Sequence, residues 1–192
     1  MAREIRRAVV TGGTGVIGAA LIGALASQNI EVLVLHNENS SRLGNIPTHP
    51  LIHLCPCSLS GLNIFNNIAT SSYDVFFHLA WAGTIGEKRD DVYIQQDNVK
   101  FALDAVGVAK RLGCKVFVGL GSQAEYGVTE EKLKASTVTM PQSGYGMAKL
   151  CAGQMTRKYA LQLEREHIWV RVHSVYGPYD SPATMIITTI DK

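Results

Sequence analysis

The segment Thr11-Gly12-Gly13-Thr14-Gly15-Val16-Ile17-Gly18 constrains this chain more than any other. It follows the apolar run Ala8–Val10 and leads directly into the small-residue stretch Ala19-Ala20-Leu21-Ile22. Glycines spaced by three between a strand and a helix suit a dinucleotide site. Gly12 permits the tight turn, Gly15 lets the backbone approach a pyrophosphate, and Gly18 lets the helix pack on the strand. Thr14, Val16 and Ile17 complete the loop, and the helix start adds N–H groups and a positive dipole end for an anion. A close-packed strand–helix turn with no ligand is the competing reading of the same glycines. A Walker-type phosphate loop is excluded, because no Gly-Lys-Ser/Thr follows.

The remainder of the chain repeats the alternation. Ala8–Val10, Val32–Leu35, Leu51–Leu54, Val75–Leu79, Val116–Leu120 and Ile168–Val172 read as buried strands, with helices near Gly15–Gln28, Ser60–Ala69, Val92–Leu112 and Gly144–Glu166. This pattern predicts an α/β fold, a doubly wound parallel sheet of Rossmann type with helices on both faces. At 192 residues, 46% hydrophobic and 18% charged, the chain buries a core as one domain. A net charge of +2 is too weak to argue for nucleic acid or an anionic membrane as partner. No apolar run approaches the ~18 residues of a membrane span, and no secretory leader follows Met1–Arg7, so a cytoplasmic setting is expected. Cys55, Cys57, Cys114 and Cys151 are too few and scattered for a disulfide framework.

Cofactor choice turns on the end of the second strand, where an acidic residue commonly accepts the adenosine ribose hydroxyls. Here Leu35 is followed by His36-Asn37. With no carboxylate to repel a 2′-phosphate, and with His36, Ser40, Ser41 and Arg42 as donors, the reading is NAD or NADP with a lean to NADP. Asn37 or Glu38 taking the ribose hydroxyls is the alternative. Chemistry enters with Tyr145 and Lys149, four residues apart on one helix face. A neighbouring ammonium and a cationic nicotinamide ring would bring the phenol down from ~10 to a usable acid/base. A surface pair is the plainer reading of such spacing taken alone. Ser122, just after the fifth strand, projects from the carboxyl edge where open α/β sheets bind ligands. Asn98 interrupts a core-facing helix with an amide, either holding water or backbone near Lys149 or simply capping or facing solvent.

Together these motifs resemble the extended short-chain dehydrogenase/reductase family, which includes nucleotide-sugar epimerases and dehydratases. The resemblance runs from the glycine loop through His78-Leu79-Ala80-Trp81, Asn98, Ser122 with Tyr126-Gly127, and Tyr145…Lys149, to Arg171-Val172-His173-Ser174-Val175-Tyr176-Gly177-Pro178. It implies Tyr145 as acid/base, Ser122 as donor to the reacting oxygen, Lys149 on the ribose and tuning Tyr145, and Asn98 as support. Leu79, Ala80 and Trp81 would line the adenosine side, and Ser174, Val175 and Tyr176 would approach the nicotinamide. Three departures matter. His36 replaces the expected Asp; Cys55-Pro56-Cys57-Ser58-Leu59 lacks the Asp offered to the adenine amine, leaving Ser58 as a weaker substitute beside Leu59; and Gln123-Ala124 replaces the Asp-Glu of water-eliminating members. Epimerisation or keto-sugar reduction of a nucleotide-activated sugar is therefore expected over dehydration, with a non-catalytic dinucleotide-binding module as the alternative.

Other features are weaker. His53, Cys55 and Cys57 alternate on one strand but lack a second ligand pair, so no metal is expected. Asn39-Ser40-Ser41 is a formal glycosylation sequon read as loop chemistry. Leu150, Met155, Tyr159 and Leu163 form either core or a homodimer seam, which the resemblance favours. Residues 1–178 read as the cofactor-binding domain and 179–192 as the start of a truncated substrate region, with a helix start at Ser181–Thr184 and apolar Met185, Ile186, Ile187 and Ile190. Without a lobe to position a sugar and exclude water, binding with little turnover is the expectation, together with self-association or marginal stability.

Overall fold

The computed structural model describes residues 4–66, 72–130, 132–180 and 189. The chain runs β1 (Arg7–Thr11), α1 (Val16–Ser27), β2 (Glu31–His36), β3 (Ile52–Pro56), β4 (Val75–His78), α2 (Val92–Arg111), β5 (Val116–Ser122), α3 (Gly144–Gln162) and β6 (Glu166–Val172). The six strands form one sheet in the order β3-β2-β1-β4-β5-β6. Every pairing is parallel, as the sequence alternation predicts.

Near-continuous apolar runs such as Ala8–Val10 and Val32–Leu35 belong in a sheet covered on both faces. Val9, Phe76 and Phe117 pack beneath α2 and α3 with Ala105, Val106, Ala109 and Leu112, while Val10, Val32 and Val34 pack beneath α1 with Ile22. Because β1 lies between β2 and β4, the chain leaves it in opposite directions across the sheet. The loops after Thr11 and His78, whose Cα atoms are partners in register, diverge from one edge and leave a crevice between them.

Two expectations are corrected. The helix expected over Ser60–Ala69 is a 3₁₀ turn, Leu59–Ile64, capped where Ser58 Oγ accepts the Gly61 N–H at 3.2 Å. Gly61, Asn63 and Asn66 are poor helix formers, which limits the segment to a turn; positions 67–69 lie outside the described residues. The apolar stripe on α3 divides: Tyr159 and Leu163 pack against the core beneath α2, Leu150 is half-buried, and Met155 is exposed. The expected helix start at Ser181–Thr184 and the apolar Met185, Ile186, Ile187 and Ile190 also lie outside the described residues. Among the described residues no helix is long and apolar enough to cross a membrane.

Candidate active site

A cleft of about 780 Å³ opens at the carboxyl edge of the sheet, floored by the glycine loop and walled by residues following β2, β4, β5 and β6. The glycines serve different ends. Gly12 has φ +76°, and a Cβ there would stand 2.6 Å from Ala80 N; one on Gly18 would overlap the Gly12 carbonyl. Those two are required by the fold itself. A Cβ on Gly15 would meet only Gly12 O, at 3.6 Å, so nothing in the protein demands glycine there. The open space over Gly15 fits a diphosphate. Gly15 is also the N-cap of α1, whose first turn receives no side-chain cap, whereas Asp91 caps α2 and Ser143 caps α3. Free N–H groups and an uncompensated dipole end complete an anion cradle. Asn45 steadies the loop by donating to Thr14 O at 3.0 Å.

The far end is lined by His36, Asn37, Ser40, Arg42, Ser58 and Leu59. His36 is buried, with Nδ1 3.1 Å from Asn37 O. A carbonyl only accepts, so Nδ1 carries a proton and Nε2 is the ring nitrogen left for a ligand. Arg42 and Ser40 add donors at this end. Ser58 Oγ is engaged by the Gly61 N–H and lies 3.0 Å from Ser60 Oγ.

At the opposite end Ser122, Tyr145 and Lys149 converge on the cleft. Ser122 closes β5, and α3 carries Tyr145 and Lys149 on one face. Burial raises the Tyr145 phenol, opposed by a hydrogen bond with Ser122 and by the Arg89 guanidinium, which lies 4.2 Å from the ring centroid. The phenol lowered by its neighbouring lysine is thus not what the chain alone presents. Desolvation outweighs the Arg89 cation, and Lys149 is itself depressed to about 7 by burial, with Glu125 working against the shift. The Lys149 ammonium donates to Leu120 O at 2.7 Å and stands 3.7 Å from the Trp81 ring centroid.

Trp81 is the main correction to the site. Instead of lining the adenosine side, it stands edge-on to Tyr145, ring centroids 6.2 Å apart, under the Lys149 amine. Its indole N–H donates to Gln95 Oε1 at 2.9 Å, which sets its orientation. Asn98 is 1% exposed and so is neither a cap nor a solvent-facing residue. Its amide brackets Ala82, accepting the N–H and donating to the carbonyl, both at 2.9 Å. It holds the backbone next to Trp81 without lining the cleft. Leu79, Ala80 and Val175 line the cleft; Ser174 does not.

Nothing in the residue pattern announces Arg89 over Tyr145, Asn45, or Gln95, whose amide also donates to Gly83 O and Lys88 O. Glu125 was equally unassigned, although Ser122-x-x-Glu125 is a capping-box pattern and the structure forms that box.

The model of the NAD dependent epimerase/dehydratase family matches residues 8–192. UDP-glucose 4-epimerase of Azospirillum brasilense is 26% identical over 176 residues, covering 89% of this chain and 49% of that protein. UDP-glucuronic acid decarboxylase 4 of Arabidopsis thaliana is 27% identical over 183 residues, covering 92% of this chain and 40% of that protein. The chain therefore spans half or less of the length of these relatives. A crystal structure of UDP-galactose 4-epimerase superposes with a TM-score of 0.82 at 26% identity, over 96% of this chain and 61% of that one. The Thermus thermophilus UDP-glucose 4-epimerase in complex with NAD has the same fold, with a TM-score of 0.82 at 21% identity over 96% and 60% of the two chains.

Proposed function

Because this chain belongs to the NAD dependent epimerase/dehydratase family, we propose that it carries the cofactor-binding and proton-transferring part of an enzyme acting on a nucleotide-activated sugar. The observation that carries the reading is the convergence of Ser122, Tyr145 and Lys149 on the cleft whose other end is the Gly15 cradle. A bound nicotinamide dinucleotide supplies the hydride acceptor and donor.

The α1 N–H groups and Gly15 hold the diphosphate, and Leu79, Ala80 and Val175 shape the walls. Tyr145 takes the proton from a sugar hydroxyl or returns it to a ketone. Ser122, in hydrogen-bond contact with Tyr145, donates to the same oxygen. Lys149 reaches the ribose from its place over the Trp81 ring, and its partial charge assists the phenol. Tyr145, raised by desolvation in the chain alone, would be brought down by the positive charge of an oxidised nicotinamide held beside it. Gln123-Ala124 offers no carboxylic acid where water-eliminating members place one, which favours epimerisation or keto-sugar reduction over dehydration. NAD or NADP both fit. The lean to NADP rests on His36, Ser40 and Arg42, which line the far end of the cleft.

Relatives named for UDP-glucose, UDP-galactose and UDP-glucuronic acid support a UDP-sugar as substrate class. Of the expected Leu150, Met155, Tyr159 and Leu163 seam only Met155 is exposed; with Met147 and Cys151, exposed at four-residue intervals on the same helix, it forms the face that would serve a homodimer. Four cysteines, too few and scattered for a disulfide framework, fit a cytoplasmic setting.

Mass spectrometry of the ligand that co-purifies, beside turnover assays on a panel of nucleotide sugars, tests the reading. Tightly held NAD with interconversion of epimers identifies the epimerase, and exchangeable NADPH with ketone reduction the reductase. Dinucleotide binding with no turnover by the full-length enzyme on any sugar refutes the catalytic reading in favour of a binding module.

A further inference from the structure

The carboxylate of Glu125 is fully buried, directly behind Ser122. Its Oε1 accepts the Ser122 backbone N–H at 2.8 Å and the Trp169 indole N–H at 3.0 Å; its Oε2 accepts Arg171 Nε at 2.7 Å. Arg171 in turn donates to Tyr126 Oη at 3.1 Å, with its guanidinium 4.7 Å from the Tyr126 ring centroid. The space for this cluster is cut by glycines. A Cβ on Gly121 would overlap both Glu125 Oε1 and the Trp169 indole, one on Gly119 would overlap the Trp169 ring, and one on Gly153 of α3 would approach it to 2.8 Å.

Stability is a poor reason for such an arrangement. A buried ion pair is commonly matched or surpassed by apolar residues of the same volume. A carboxylate does two things here that an apolar residue does not: it takes up the Ser122 N–H, and it places a negative charge behind the Tyr145–Lys149 pair. Ser122 Oγ already accepts the Ala124 N–H at 3.2 Å, so with its backbone pinned by Glu125 its hydroxyl proton is directed to Tyr145.

We propose that Glu125 is a positioning residue, locking Ser122 from behind through its backbone N–H and holding the protonation balance of the Tyr145–Lys149 pair. The proposal rests on the reading of Ser122, Tyr145 and Lys149 as the acid/base set. The direction of its effect follows from the groups that face the pair. Lys149 is faced by Tyr145 on its own helix, by His78 of β4 and by Glu125; Tyr145 is faced by Arg89 and Ser122; Glu125 is faced by Arg171 and Tyr126. His78, held to about 3 by burial, is neutral throughout the working range. Glu125 is the anion among these groups, and it favours the protonated form of both Lys149 and Tyr145.

The test is an NMR titration of the Lys149 side chain in isotope-labelled protein without substrate, its signal assigned through Lys149→Arg. Glu125→Gln keeps an acceptor for Ser122 and Trp169 but removes the charge, and moves the Lys149 midpoint down by about one pH unit. Arg171→Gln leaves the carboxylate without its cation and moves the midpoint up. Opposite shifts in two variants of one hydrogen-bond cluster are not produced by a merely structural role, and the second variant serves if the first fails to fold. A Lys149 midpoint unmoved in Arg171→Gln, or moved downward in both variants, overturns the proposal. The titration needs no turnover, so its failure is distinct from that of the acid/base reading, which the activity of Tyr145→Phe decides.

Discussion

Gly15→Ala separates a glycine kept for a ligand from glycines kept for the fold. The backbone at Gly15 is extended, φ −86° and ψ 169°, and the new Cβ would meet only Gly12 O at 3.6 Å. Replacing a glycine N-cap with alanine costs about 0.5–1 kcal/mol, while the loss of chain freedom in the unfolded state returns about 0.4–1 kcal/mol. The two nearly cancel, and Tm moves by less than about 2 °C. The methyl group nevertheless stands on the surface a diphosphate would touch. Losing one charge-assisted N–H contact costs about 1.5–3 kcal/mol, a weakening of dinucleotide binding of about 10–100-fold. Gly18→Ala is the control. Its Cβ overlaps the Gly12 carbonyl and lies 2.8 Å from Gly13 Cα, so it costs about 3 kcal/mol or more and lowers Tm by about 6 °C or more. Calorimetric titration with NADH and NADPH, beside thermal unfolding, reads both quantities. Wild-type affinity in Gly15→Ala, or a loss of stability equal to that of Gly18→Ala, would refute the division of roles.

Tyr145→Phe in the full-length enzyme lowers turnover of the nucleotide sugar by about 10²–10⁴-fold with dinucleotide affinity unchanged, and steady-state rates near wild type would remove Tyr145 from the chemistry. Lys149 holds its proton only below about 7 in the fold, against ~10.4 when unfolded, so between those values the unfolded chain binds the extra proton and stability rises with pH. Denaturation of wild type and Lys149→Met across that window therefore shows the wild type gaining on the variant as pH rises; a gap independent of pH contradicts the depressed lysine. Arg42→Ala weakens NADP by about 1–3 kcal/mol and NAD by less, read by competitive titration, whereas equal losses mean that Arg42 does not read a 2′-phosphate.

The fold was legible because its signals are local. Ala8–Val10 before the glycine loop, and five further apolar runs separated by helix-length segments, are sufficient to define a parallel sheet, and its strand order follows the doubly wound pattern. The convergence of Ser122, Tyr145 and Lys149 on one cleft was legible for the same reason, since Tyr145 and Lys149 share a helix face and Ser122 ends a strand. What was misread depends on packing between distant segments. The orientation of Trp81 is set by Gln95, fourteen residues on, and by Lys149. The partners of Glu125 on β6 are 44 and 46 residues away, which leaves the capping box as its one local signature. Charge was misjudged for a related reason: Lys149 is visible four residues from Tyr145 in the sequence, but neither the burial that raises the phenol nor the Arg89 guanidinium that opposes it is. The 3₁₀ turn at Leu59–Ile64 lies where glycine and asparagine had already diluted the helical pattern.

Whether one cleft brings a dinucleotide cradle to the Ser122–Tyr145–Lys149 set is decided by NADH titration with tryptophan excitation and nicotinamide emission. Trp81 stands at the Tyr145–Lys149 end, so a nicotinamide delivered there accepts its excitation. The expected result is saturable energy transfer at one NADH per chain, reduced in Trp81→Phe and in Trp169→Phe, whose indoles both stand at the Ser122 end. Absence of binding at millimolar NADH and NADPH, or saturable binding with no energy transfer, would contradict a shared cleft.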